Sequence, residues 1–174
     1  MRWRGVLGSS LVAACLAIGC GSPGSSKTDS AAARPPQPPA IQAIEASAFC
    51  QKYGCAIREA WRLSTGGQDF TFGLSASNGT ALEVPLLPEG GIDHFGLSFY
   101  GRDRLGEPEF QLIRDLLETI QPGLASEALL KHVRAHVERD VFTIPEAKSF
   151  KSAGYQIRAG KILNQVISID RIPK

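Results

Sequence analysis

Between residues 61 and 141 the apolar residues of this chain keep one period up to residue 99 and a different one after it. Trp61 and Leu63 open a block of alternation. It continues through Phe70, Phe72 and Leu74, then Leu82, Val84 and Leu86, then Phe95, Leu97 and Phe99. Successive side chains of a strand point to opposite faces, so each run has one apolar face, the pattern of half-buried antiparallel strands. From Phe110 the spacing becomes three and four: Phe110, Ile113, Leu117 and Ile120 form one stripe, and Leu129, Leu130, Val133, Val137 and Val141 form the next. That is the stripe of an amphipathic helix. A run of strands followed by a run of helices does not build alternating βαβ units. It builds an α+β fold, with helices packed on one face of an antiparallel sheet.

The punctuation agrees. Gly66-Gly67 and Pro88-Glu89-Gly90-Gly91 mark turns, and Asn78-Gly79 is a strong hairpin signal because both residues tolerate positive φ. Pro85 marks an edge position or a strand's end. Pro108 suits a first helical turn flanked by Glu107 and Glu109, which face the positive end of the helix dipole. Pro122-Gly123 stops that helix, Ser126 is the N-cap of the next, and Pro145 closes it. Ahead of the sheet, 44–53 reads as a short helix ended by Gly54. Behind the helices, Tyr155 and Ile157, a turn at Gly160-Lys161, and Leu163, Ile167 and Ile169 read as a final hairpin. The predicted order is one helix, four strands, two helices and two strands: about six strands with two helices on one face. Residues 43–174 suffice for one domain with one core. Phe72, Leu97, Ile113, Leu117, Val133 and Ile167, each from a different element, are expected inside it.

The amino terminus has a separate logic. Arg2 and Arg4 precede an uncharged stretch, 5–19, whose centre is apolar, and the chain turns to Gly-Ser-Pro directly after Cys20. A basic end, a short apolar run and a small-residue junction make a secretory signal, and the run is too short for a membrane span of about 20 residues. Leu16-Ala17-Ile18-Gly19-Cys20 resembles the lipobox of bacterial lipoproteins; Val12-Ala13-Ala14-Cys15 is a rival match. The resemblance implies a signal peptide over 1–19, cleavage before Cys20, and acyl chains such as palmitate on that cysteine. It implies a protein held on a membrane of the cell envelope. Gly21 stands where an Asp often causes inner-membrane retention, which leans to the outer membrane if the host has two. Residues 20–42, rich in Pro, Ser and Ala, read as a disordered tether with an extended segment at Pro35-Pro36-Gln37-Pro38-Pro39.

Charge narrows the partners. The chain carries 19 basic and 17 acidic residues, so loss of Arg2 and Arg4 with the leader leaves a net charge of zero. A nucleic-acid binder needs a clustered basic face, so no nucleic-acid partner is expected. Of the four cysteines, Cys15 and Cys20 belong to the leader and anchor. Cys50 and Cys55 remain, with Gly54 between them able to turn the chain, and an oxidising compartment favours a local disulfide. Their spacing does not match the redox pair of thioredoxin-like proteins.

Candidate chemistry is sparse. His132 and His136 lie four apart on one helical face and could chelate a metal, with Asp140 continuing the row and Glu138 pointing elsewhere. Val133 stands where a metalloprotease helix needs Glu. His94 lies on the fourth strand beside Asp93, which strand alternation is expected to point away from it, and no nucleophile elbow accompanies it. Residues 154–161 fail as a phosphate loop, and Asn78-Gly79-Thr80 is explained by its turn. The charged loop 101–107, with Arg102, Asp103 and Arg104, is a candidate contact for a partner. No catalytic residue and no cofactor is assigned. The reading is a membrane-tethered envelope lipoprotein with a non-enzymatic binding or scaffolding domain, whose partner is an envelope protein or component. The alternatives are a metal-dependent or hydrolytic enzyme using His94, His132 and His136, and a carrier of an apolar ligand drawing on Phe70, Phe72, Phe95 and Phe99.

Overall fold

A computed structural model describes residues 37–137, 149–161 and 163–173. Cys15, Cys20, most of the expected tether, Glu138, Asp140, Val141 and Pro145 lie outside them. The elements run α1 (Pro39–Glu45), α2 (Ala48–Tyr53), β1 (Cys55–Arg62), β2 (Gln68–Leu74), β3 (Thr80–Leu86), β4 (His94–Phe99), α3 (Glu107–Ile120), α4 (Glu127–His136), β5 (Phe150–Ser152), β6 (Tyr155–Lys161) and β7 (Gln165–Arg171). The strands form one antiparallel sheet in the order β1-β2-β3-β4-β7-β6-β5. The fold is therefore α+β with helices on one sheet face, with seven strands among the described residues where about six were expected.

The core lies between that face and the helices. Phe72, Leu97, Leu117, Val133 and Ile167 have no exposed surface and Ile113 has 1%, so all six expected core residues are inside. They join Ile41 of α1 and Phe49 of α2 in a single cluster, at about 1.5–3 kcal/mol for each large side chain. The helix signals act as read. Ser126 Oγ accepts from the Leu129 N–H at 3.3 Å, Pro108 sits in the first turn of α3, and Gly123 follows its end with φ 80°.

Several expectations are corrected. The helix over 44–53 is two helices, because Ser47 interrupts it as an N-cap whose Oγ accepts from the Cys50 N–H at 3.2 Å. The ordered fold starts before residue 43: α1 begins at Pro39, and Ile41 is fully buried. Trp61 is not on the apolar face. A bulge between Ile57 and Glu59 shifts β1 by one residue and sets Trp61 opposite Asp69 on the outer face, 48% exposed. A one-residue slip moves every later side chain of a strand to the other face. At the β2–β3 hairpin Gly79 takes positive φ and Asn78 does not. Gly160 and Lys161 lie inside β6, so they are not the turn; β7 begins at Gln165, and Leu163 before it is 87% exposed. The additional strand, β5, exists because Ala153 and Gly154 both adopt positive φ, 49° and 81°, and close a two-residue hairpin with Ser152 opposite Tyr155. Ala at such a position is costly and gives no turn signal.

Cys50 and Cys55 form a disulfide. It ties the last turn of α2 to the start of β1 across Gly54, which ends α2 in the left-handed region (φ 64°, ψ 57°). Within that loop Lys52 Nζ and Tyr53 Oη each donate to Asp115 Oδ2 on α3 at 2.6 Å, and Gln111 Nε2 donates to Oδ1 at 2.8 Å. Burial pushes the Asp115 carboxyl up, but these donors and the Lys52 charge outweigh it and hold it below its ordinary value. Burial, with Asp115 as acceptor, pushes the Tyr53 phenol well above its ordinary value.

Candidate functional site

Where α1, α2 and the last turns of α3 meet the sheet, their packing is incomplete. The space left is a groove of about 440 Å³, within the range of roughly 300–1,000 Å³ common to ligand sites. Its floor is apolar: Phe49 of α2, Leu82 of β3, Phe95 of β4, Leu116 and Ile120 of α3, and Ile169 of β7. Ala40, Ala43 and Ile44 of α1 make one wall. The walls come from local necessity. The α1 helix is only seven residues long, and it buries Ile41 while leaving Ala43 exposed. Small side chains on the groove-facing wall keep the gap open.

The rim is polar, with Asp93, His94, Thr119, Tyr155 and Arg171. His94 Nδ1 and Asp93 Oδ2 are 3.1 Å apart. The expectation that Asp93 could not orient His94 is therefore corrected. Asp93 precedes β4, and its N–H bonds back to the Pro85 carbonyl at 2.9 Å, so strand alternation does not govern its side chain. Arg171 stands opposite Tyr155 in the β6–β7 ladder, at the exposed end of β7.

The histidines do not gather. His94 is on the groove; His132 and His136 are on α4 and do not line it. Those two rings stack at 4.3 Å, His132 lies 5.6 Å from the Phe150 ring, and His136 Nδ1 is 2.7 Å from the His132 carbonyl oxygen. Among the described residues no group of three His, Cys, Asp or Glu side chains lies close enough to hold a metal ion. The enzyme constellation of His94, His132 and His136 is thus not assembled. The aliphatic hydroxyls on the groove wall are also committed. Ser47 Oγ donates to the Ile44 carbonyl at 2.6 Å, and Thr119 Oγ1 donates to the Asp115 carbonyl at 2.8 Å. Neither is poised toward His94 as a nucleophile would be.

The loop 101–107 is anchored within the fold. Arg102 Nη1 pairs with the buried Glu109 carboxylate at 3.1 Å, and its Nη2 donates to the Asn78 carbonyl at 3.1 Å. The Asp103 carbonyl accepts from Gln165 Nε2 at 3.1 Å. Of the candidate contact residues, the Asp103 side chain and Arg104 remain exposed. Of the four aromatics, Phe70, Phe72 and Phe99 are core, and Phe95 alone reaches the groove. Sequence marks neither Arg171 nor Leu116, and it marks Tyr155 and Ile120 only as strand and helix-stripe positions. They meet only through strand register and helix docking, and none carries a motif.

Among the described residues no helix is long and apolar enough to cross a membrane. No family model, curated protein or solved structure matches this chain.

Proposed function

We propose that this chain is a lipid-anchored protein of the cell envelope, attached through Cys20, and that its folded unit is a non-enzymatic binding module. The groove between α1, α3 and the ends of β4 and β7 is its binding site. It receives an apolar group presented by an envelope component and does not turn it over.

The observation that carries this reading is the groove itself: about 440 Å³ with a carbon floor and a polar rim. Exposed apolar surface in a folded domain is a cost that a ligand or partner relieves. The leader and the Cys50–Cys55 disulfide agree with export to an oxidising compartment. An oriented His–Asp pair beside a groove is also an element of a hydrolytic site, but the wall hydroxyls are bonded to backbone carbonyls, which favours binding over catalysis.

The test is photo-crosslinking in intact cells from a benzophenone amino acid at Ala43, in the groove wall, against the same probe at Glu89, in the exposed β3–β4 turn. Adducts from position 43 and none from 89 are expected. Equal adducts from both, or none from 43, would remove the groove as the binding site.

A further inference from the structure

We infer that the groove takes a single acyl chain ending in a carboxylate, the chain lying on the apolar floor and the head group meeting Arg171; this rests on the binding-module reading above. The floor residues Phe49, Leu82, Phe95, Leu116, Ile120 and Ile169 present no side-chain donor or acceptor. A polar ligand seated there loses its hydration without return, whereas each methylene buried gains about 0.8 kcal/mol. The size argues for a chain and against a folded partner. A protein interface engages roughly 20–30 residues on each side, more than line this groove of about 440 Å³.

The rim decides the sign of the head group. Among the described residues Asp93 is the one acidic side chain lining the groove, and it engages His94. Among the described residues Arg171 is the one Lys or Arg there, and its guanidinium makes no hydrogen bond or ion pair with them. Its neighbour in sequence, Asp170, is taken by Arg158 Nη2 at 3.0 Å and by Ser168 Oγ at 2.8 Å. The groove therefore ends at a planar guanidinium with no partner among the described residues, a group suited to bidentate recognition of a carboxylate. Position agrees with source. The α1 wall is the first described helix after the segment that leads from Cys20, and acyl chains are the apolar ligands at hand for a protein held at a membrane.

The test uses the full mature chain and three probes that share one tail: palmitate, hexadecanol and hexadecylamine, titrated below their aggregation limits by calorimetry. Palmitate is expected to bind about tenfold more tightly than hexadecanol, the value of one charge-assisted contact, with the amine weakest. Arg171→Glu should cost palmitate at least about tenfold, since it removes that contact and sets two anions together, and leave hexadecanol unchanged. Ala43→Trp should abolish binding of all three, and Thr119→Trp, also at an exposed wall position, serves if Ala43→Trp fails to fold. Hexadecylamine binding as tightly as palmitate, or palmitate binding indifferent to Arg171→Glu, would overturn the inference. No binding of any probe, with crosslinks from position 43 persisting, would overturn it and leave the binding-module reading standing. Loss of both would remove the two together.

Discussion

Leu117 lies in the third turn of α3 with no exposed surface, on the stripe that faces the sheet. Leu117→Ala removes buried carbon in contact with a core that spans α3, α4 and both halves of the sheet. The lost transfer energy and the residual cavity together cost about 2–5 kcal/mol for a buried leucine. Full burial places this site near 3 kcal/mol or above on that scale, roughly a third of the stability of an ordinary domain. The melting temperature should fall by roughly 10 °C. Urea titration of the isolated protein measures it, with Lys131→Gln on the exposed side of α4 as a control expected within about 0.5 kcal/mol of the parent. A loss below about 1 kcal/mol for Leu117→Ala at unchanged m-value would mean that α3 is peripheral to the sheet, and the architecture would have to be given up.

Acid should loosen the α2–α3 contact. The Asp115 carboxyl is held below its ordinary value, so its contribution is full above the unfolded-state value and is lost as pH falls through the lower folded one. Asp115→Asn should flatten that acid limb of a stability–pH curve and leave its neutral side lower. Replacing Cys50 and Cys55 by Ser should cost about 2 kcal/mol, the entropy of so short a loop, read by urea unfolding with and without reductant; no difference would place the disulfide outside the stabilising set. Gly54→Ala should cost about 1–2 kcal/mol, because a Cβ there faces the left-handed region. Cys20→Ala should abolish incorporation of an alkynyl palmitate analogue; label retained in that variant and lost in Cys15→Ala would move the anchor to Cys15.

The core was legible because burial and period coincide: Phe72 and Leu97 follow the strand alternation, Ile113, Leu117 and Val133 the helical one. The helix ends were legible where a cap has a chemical signature, as at Ser126 and Gly54. What escaped had no local signature. The β1 bulge that turns Trp61 outward is set by pairing with β2, and the Ala153-Gly154 hairpin uses a residue that propensity argues against. Ile41 falls in the stretch that composition reads as a tether, because the prolines before it read as extended chain, yet Pro39 is tolerated in a first helical turn and Ile41 is drawn into the core. The groove was beyond sequence for the same reason. Arg171 reaches its mouth through the β4–β7–β6 register, and its floor joins residues from five elements. The histidines, the most conspicuous candidates by residue type, stay apart because two lie on α4 and one on β4.

Hydrogen exchange on the full chain in native membranes, set against the delipidated protein, tests the central claim most directly. If the groove is the binding site, protection on membranes should rise in α1 (Pro39–Glu45), around residues 92–95, and in the last turn of α3, while the β3–β4 turn at 87–91 stays unchanged. Protection confined to the outer sheet face or to the exposed Arg104 loop, with the groove lining unaltered, would contradict it.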